Sequence, residues 1–228
     1  MINTLFPCRR YSFANDTILE DLSKNTISLI EEKKISIKLK KKEVLFYEGT
    51  IPTGVYILKS GKVKKYSTGL NGKEHIFYLA KENGILGYHC LLSKETYAHT
   101  TACLTDCEFD LIPKEVFLSM IENDYEMLYR LLKSISHEFG VFTNNTRILA
   151  QHSVRERTAL SIIKLERFFD NNGCIKLSRK DHSSLVGTSI ESLVRTLHDF
   201  KEEGAIELRE SMIITKDMEK LVKASNFM

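Results

Sequence analysis

Short runs of alternating apolar and polar residues dominate the chain from Ile35 to Leu111. Such alternation is typical of strands that bury one face and expose the other. The runs are ISIKL, VLFYEG, VYILKSG, KVKKYS and HIFYLA. Between them stand glycines, the residues that tight turns accommodate most easily, at positions 49, 54, 61, 69, 72, 84 and 87. The pattern predicts an antiparallel β domain.

The spacing of apolar residues becomes helical after Pro113. One stripe then recurs at alternating intervals of three and four residues, at Tyr125, Leu128, Leu132, Ile135, Phe139, Phe142, Thr146 and Leu149. A heptad stripe that continues for about three heptads predicts a helix that packs against a partner helix. The alternative is a core helix that lies on its own β domain, which the interior Gly140 keeps open.

The last third of the chain has the signals of a small helical domain. Ser153 and Glu156 have the spacing of a capping box, and a cap-like start at Ser178 precedes a short helix that ends at Gly187. A further helix is predicted over residues 188–203, and the runs AIELR and MIITK after it predict a hairpin. Two helices joined by a glycine turn and followed by a hairpin form a winged helix-turn-helix, whose second helix enters the major groove of DNA.

Two charged residues of this second helix are candidate base readers. Glu191 and Arg195 are four residues apart and share one helix face, whereas Leu193 and Leu197 share the apolar face. Arginine can donate two hydrogen bonds to guanine, and glutamate can accept one from cytosine. The same spacing is that of an ordinary surface ion pair, and it is the surrounding motif that favours base reading.

Hydroxyl and basic side chains stand at the predicted starts of both helices. They are Ser178 and Arg179 at the first helix, and Thr188 and Ser189 at the second. Because helix N-termini bind anions, these four residues are candidate contacts to DNA phosphates.

The segment LSRKDHSSLVGTSIESLVRTLHDFKEEGAI resembles the DNA-binding motif of the Crp-Fnr superfamily of bacterial transcription regulators. The likeness covers nearly the whole chain, because EGTIPTGVYILKSGKVKKY resembles early strands of the family's cyclic-nucleotide-binding-like domain and VRERTALSIIKL resembles its first DNA-domain helix. The resemblance implies an α+β fold in three parts: a jelly-roll β-barrel that senses an effector (residues 1–119), a dimerisation helix (120–149) and a winged helix-turn-helix (150–228). It also implies a homodimer that binds a palindrome in double-stranded DNA and works with RNA polymerase.

The family's base-reading Glu and Arg correspond to Glu191 and Arg195, but neighbouring positions differ. Ile190 stands where the cyclic AMP receptor has Arg, and Val194 stands where the fumarate-nitrate regulator has Ser. We expect both to alter base preference, with Val194 suited to a thymine methyl group. The resemblance assigns the dimer contact to Leu128, Leu132, Ile135, Phe139 and Phe142.

The resemblance places the effector pocket at the segment ILGYHCLLSKETYAHTTACL. Cyclic AMP receptors hold the cyclic phosphate there with a Glu and an Arg-Ser pair. Gly87 matches the family's glycine, but Tyr88 replaces the Glu, and Tyr97 and Ala98 replace the pair. A buried phosphate without its guanidinium loses charge-assisted hydrogen bonds. Cyclic AMP is therefore not expected, and the small-molecule or redox effector stays unknown.

Other cofactors are limited by the ligands available. An iron-sulfur cluster of the fumarate-nitrate type needs several clustered N-terminal cysteines, and only Cys8 lies there. His75, His89 and His99 are candidate haem ligands, with Cys90 next to His89, although no spacing singles one out. No metal site is predicted.

Composition sets the broad class. The 228 residues are 43% hydrophobic and 28% charged, which is typical of a folded globular protein. The net charge of +3 neither requires nor excludes nucleic acid. Five scattered cysteines favour free thiols in a reducing compartment. Neither a membrane span nor a signal peptide is evident, so a cytoplasmic protein without a membrane partner is expected.

Two alternative functions stay open, although no catalytic motif such as GxSxG, a Walker loop or HExxH occurs and no enzyme is expected. One is a ligand- or redox-sensing protein-interaction module whose C-terminal domain does not bind DNA. The other is a redox thiol protein that uses Cys103 and Cys107. The surrounding sequence LTDCEFDLI is typical of a strand. Two thiols buried by that strand are the simpler explanation of Cys103 and Cys107.

Overall fold

The structure is a computed structural model that describes residues 16–19, 22–170, 173–210 and 212–226. The candidate cluster ligand Cys8 lies outside this range. The chain forms two compact units. The N-terminal unit consists of the described residues within Phe13–Gly69 and Phe77–Phe139, and the C-terminal unit of those within Leu70–Ile76 and Gly140–Met228. No helix of the described residues is long and apolar enough to span a membrane.

The first half of the chain forms two four-stranded sheets. The strands are β1 (Ile35–Leu39), β2 (Val44–Phe46), β3 (Gly54–Ser60), β4 (Lys62–Thr68), β5 (Glu74–Lys81), β6 (Ile85–Leu86), β7 (Thr100–Cys103) and β8 (Cys107–Pro113). One sheet has the order β1-β8-β3-β6 and the other β2-β7-β4-β5. The antiparallel β domain is thus confirmed, and it consists of these two sheets.

Strand β3 shows how both faces of one sheet become buried. Tyr56 and Leu58 belong to a core cluster shared with the other sheet, whereas Val55 and Ile57 belong to a second cluster shared with helices. Those helices are α1 (Lys24–Lys33), α2 (Tyr88–Ser93), α3 (Lys114–Asn123) and α4 (Tyr125–Gln151). A strand covered on both faces needs apolar residues at successive positions, as in VYIL.

The predicted helix over residues 120–149 starts later than expected. Helix α3 ends at Asn123, the backbone of Asp124 is extended, and α4 begins at Tyr125. The Asp124 carboxylate accepts hydrogen bonds from the Met127 backbone N–H (3.1 Å) and from the Thr26 hydroxyl (2.7 Å). A carboxylate that accepts from the first turn is a typical N-cap, so Asp124 separates the two helices.

The C-terminal unit contains the predicted helix-turn-helix. Helices α5 (Val154–Phe169), α6 (Arg179–Val186) and α7 (Ile190–Glu202) precede the hairpin of β10 (Ile206–Arg209) and β11 (Met212–Thr215). The predicted capping box at the start of α5 is present. Strand β9 (Cys174–Ile175) pairs with β11, and α8 (Met218–Ser225) packs on α5; the sequence had predicted neither.

Candidate nucleic-acid interface and sensor pocket

Helix α7 has an apolar face that packs and a polar face that is exposed. Leu193, Leu197 and Phe200 are fully buried, whereas Glu191 and Arg195 are exposed. Within the described part of the chain, neither charged side chain has an ion pair. The ordinary surface ion pair that their spacing allowed is therefore not formed, and both groups face solvent with their hydrogen-bonding capacity unused.

The neighbouring candidate base readers lie on the same side of the helix start. Ile190 is exposed although it is large and apolar. Val194 is half-buried and lines a cleft of about 340 Å³. The cleft is bordered by residues of α6, α7 and β10, including the basic side chains of Arg179 and Lys201, and by the acidic Glu210. Arg179 and Lys201 are donors that suit a DNA phosphate beside the exposed face of α7.

The candidate phosphate contacts differ in accessibility. Ser178 caps α6 by accepting from the Asp181 N–H at 3.0 Å, and Ser189 caps α7 by accepting from the Ser192 N–H at 3.1 Å. Both are exposed. Thr188 is only 9% exposed and precedes the helix. The sequence-based assignment of Thr188 to the helix is wrong, because Ser189 is the N-cap. The burial of Thr188 leaves little of its side chain accessible to a phosphate.

Arg157 of α5 holds the turn between the two helices, a role that the sequence did not reveal. Its guanidinium donates to the carbonyl oxygens of Val186 (3.0 Å), Gly187 (3.2 Å) and His152 (2.8 Å). Gly187 has a positive φ of 72°, which glycine adopts without strain. The turn that orients α7 is therefore fixed by one side chain from a neighbouring helix.

The residues predicted to line the effector pocket are only partly brought together. Gly87 has a φ of 88°, and a Cβ atom at this position would lie 3.3 Å from the Tyr97 ring. Tyr97 is buried and stacks on Phe46, with the ring centroids 3.8 Å apart. Ala98 is exposed, in contrast to the prediction, because successive residues of an extended segment point to opposite sides.

Tyr88 belongs to a buried polar cluster that the sequence did not predict. Its hydroxyl donates to Glu138 Oε2 at 2.8 Å, and the Tyr78 hydroxyl donates to Oε1 at 3.4 Å. His89 Nε2 lies 2.7 Å from Glu138 Oε2. The ammonium group of Lys65 lies 3.9 Å from the centroid of the Tyr78 ring. We call these five residues the Glu138 cluster.

The charges in the Glu138 cluster compensate one another. Burial acts to raise the pKa of Glu138, but the hydrogen bond with His89 and the charge of Lys65 outweigh it and hold the pKa below its ordinary value. Burial lowers the pKa of Lys65 to about 8, partly opposed by the charge of Glu138. Both groups are therefore ionised at neutral pH.

Two periodicities could have revealed the cluster. Lys65 is two residues after the buried Val63 in β4 and so faces the same side. Glu138 continues a second stripe of α4, with Met127, Leu131 and Ser134, which is buried. The sequence pattern indicates only the apolar stripe beside it, because charged residues are rarely fully buried.

The candidate haem and thiol residues have other partners. His99 is buried, which lowers its pKa to about 3, and its ring meets the edge of Phe77. His89 is bound to Glu138. Cys103 and Cys107 are buried free thiols, and a hydrogen bond between them lowers the pKa of Cys107. The described residues contain no group of three or more potential metal ligands.

Two family models match the chain. Residues 36–124 match the cyclic nucleotide-binding domain, and residues 156–224 match the Crp-like helix-turn-helix domain. The cyclic AMP receptor protein of Thermus thermophilus is 25% identical over 164 residues, which cover 72% of this chain and 76% of that protein. Electron transport regulator A of Shewanella oneidensis is 26% identical over 202 residues, which cover 85% and 78%.

A solved structure has the same fold. The structure of FixK2 from Bradyrhizobium japonicum superposes with a TM-score of 0.76, covering 84% of this chain and 96% of that chain. The two sequences are 18% identical.

Proposed function

The chain belongs to the Crp-Fnr superfamily of transcription regulators, which are not enzymes, and we propose that it binds a palindromic operator as a homodimer under an effector other than cyclic AMP. The observation that carries the proposal is the exposed Glu191 and Arg195 on a recognition helix whose opposite face is buried. The protein acts in the cytoplasm, where double-stranded DNA and RNA polymerase are its partners.

Base reading is assigned to the exposed face of α7. Arg195 binds a guanine and Glu191 a cytosine, while Ile190 and Val194 make apolar contacts in the groove. Arg179, Ser178 and Ser189 contact phosphates, which sets the register without selecting sequence. Each half-site therefore contains a G·C pair.

Dimerisation is assigned to α4 because its outer stripe is exposed in the single chain. Leu132 is 55% exposed and Phe139 is 74% exposed, on a helix of 27 residues. Exposed apolar side chains in a heptad pattern favour pairing with a second copy. A two-fold dimer that presents two recognition helices reads half-sites separated by about one turn, roughly 34 Å.

An effector other than cyclic AMP is supported by the residues at the candidate pocket. Neither Tyr97, stacked on Phe46, nor the exposed Ala98 supplies the cation that a cyclic phosphate needs. The Tyr88 hydroxyl is hydrogen-bonded to a carboxylate, which repels a phosphate.

Selection of binding sites from random DNA tests the proposal. The wild-type logo should be an inverted repeat that cyclic AMP leaves unchanged. Arg195→Ala should cost about 1–3 kcal/mol per half-site and flatten the preference at one base pair. Ser189→Gly is the matched control, because glycine is a tolerated N-cap and the loss of the hydroxyl should weaken all sequences alike. Identical logos for wild type and Arg195→Ala would refute the base-reading assignment.

The same selection experiment also distinguishes the proposed regulator from the alternative function. A protein that selects no sequence and shows no saturable, salt-sensitive binding to DNA would instead be a ligand- or redox-sensing interaction module.

A further inference from the structure

We propose that Glu138 supplies the negative charge of the effector pocket from within the chain. Its carboxylate, carried by α4, joins α4 to α2 and the β sheet without any small anionic ligand. The inference deepens the proposed function, on which its DNA-binding readout rests. It implies that operator binding does not require an anionic effector, and that the natural effector is not one anchored by a phosphate or carboxylate in this pocket.

The geometry places one carboxylate among donors from two other elements. Tyr88 and His89 come from α2, Tyr78 from β5, and Glu138 from the buried face of α4. Glu138 is 1% exposed. Because hydrogen bonds to an ionised group are about twice as strong as neutral ones, this carboxylate is a strong connection between these elements.

The charge of the cluster is that of an anion-binding shell. Lys65 is buried and cationic, and the hydroxyls of Tyr78 and Tyr88 donate to the carboxylate, so the groups around Glu138 suit a negative charge. A buried ammonium without an anion is strongly unfavourable. Glu138 provides that anion within the chain.

The substituted positions of the segment fit the same explanation. Tyr88 stands where cyclic AMP receptors have Glu, and it directs a donor where they have an acceptor. In this chain α2 therefore contributes the donor, Tyr88, and α4 contributes the acceptor, Glu138. The two residues are 50 positions apart in the chain, and the Tyr88 hydroxyl lies 2.8 Å from Glu138 Oε2 in the fold.

Chemical rescue tests the proposal directly. Glu138→Ala removes the carboxylate and leaves a space bordered by Lys65, Tyr88 and His89, and the probe is acetate, with chloride at matched ionic strength as the salt control. Without acetate the variant should have a lower Tm and about tenfold weaker operator binding, a typical coupling factor. Millimolar acetate should restore both, while wild type should bind its operator without any addition.

Two further variants separate the anion from simple packing. Leu131→Ala truncates a buried residue of the same α4 face and should lower the Tm without any response to acetate. Glu138→Gln fills the space without a charge, so it should lower the Tm and not be rescued. If Glu138→Ala does not fold, the Tm of Glu138→Gln decides instead whether the charge of Glu138 is needed.

The proposal is overturned if acetate raises the Tm of Glu138→Ala no more than that of Leu131→Ala, or if wild type stripped of small molecules binds the operator only after an anionic metabolite is added. If wild type selects no operator, the proposed function fails, but the acetate effect on Tm still decides the role of Glu138.

Discussion

Individual residues of this protein depart most from expectation where a polar group is buried. His182 of α6 is fully buried, and its Nε2 lies 2.7 Å from the Ser161 hydroxyl of α5. Burial, together with the nearby charge of Arg179, lowers the pKa of His182 to about 3. The imidazole is therefore neutral in the fold at any physiological pH.

This burial predicts acid sensitivity of the C-terminal unit. The folded pKa of about 3 is below the ordinary 6.5, so the unfolded chain binds the proton first as the pH falls. The contribution of the neutral His182 to the free energy of unfolding is fully present above pH 6.5. Below pH 6.5 it decreases by at most about 1.4 kcal/mol per pH unit. Amide hydrogen exchange in α5–α7 peptides should show the decrease.

The matched variant is His182→Gln, whose amide reaches the Ser161 hydroxyl but does not titrate. It should show a flatter dependence of exchange on pH in these peptides. Peptides of the β sheets serve as an internal comparison, because the buried His99 of the N-terminal unit is unchanged. Equal pH dependence of wild type and His182→Gln would contradict the assignment.

Among the elements, the recognition helix α7 depends on how helix α5 begins. In the capping box of α5, the Ser153 hydroxyl accepts from the Glu156 N–H at 3.3 Å, and the Glu156 carboxylate accepts from the Ser153 N–H at 2.7 Å. One turn later, Arg157 holds the loop before α7. The cap and the residue that anchors the loop are therefore one helical turn apart at the start of α5.

Ser153→Ala should destabilise the C-terminal unit by about 0.5–2 kcal/mol, the usual cost of losing a serine cap. Urea unfolding measures this loss. Ser153→Asp, which retains a capping acceptor, should keep most of the stability. A loss equal to that of Ser153→Ala would mean that the cap is not the cause.

At the scale of the whole molecule, α4 carries two different stripes. The inner stripe, with Leu131 and Glu138, is buried in the single chain, and the outer stripe, with Leu132 and Phe139, is exposed. Ile135, which the family resemblance places in the dimer contact, is partly buried and packs against the core of its own unit. The outer stripe is therefore narrower than the heptad pattern indicates.

The outer stripe predicts a dimer that two truncations dissociate. Leu132→Ala combined with Phe139→Ala should remove roughly 2–5 kcal/mol for each side chain that the dimer buries, which favours monomers. Ile135→Ala is the control, since it should lower the stability of the N-terminal unit and leave the dimer intact. Sedimentation at micromolar concentration measures the state; a persistent dimer of the double variant would place the interface elsewhere.

The sequence by itself determined most strands of the β domain, the long helix α4 and the helix-turn-helix, because these depend on local patterns. Alternation identified the strands, the three-and-four spacing identified α4, and Ser153, Gly187 and the hairpin runs identified the helix-turn-helix. Each signal extends over a few residues, the range over which backbone propensity and one-sided burial act.

Only the tertiary structure decided which polar groups are buried together. Lys65 and Glu138 are charged residues that the fold buries, and the two tyrosines that donate to Glu138 are 50 and 60 residues away from it in the chain. The same holds for the burial of Thr188 and for the inward position of Ile135. The free energy of a buried charge depends on the groups around it in space, and a local pattern does not contain that information.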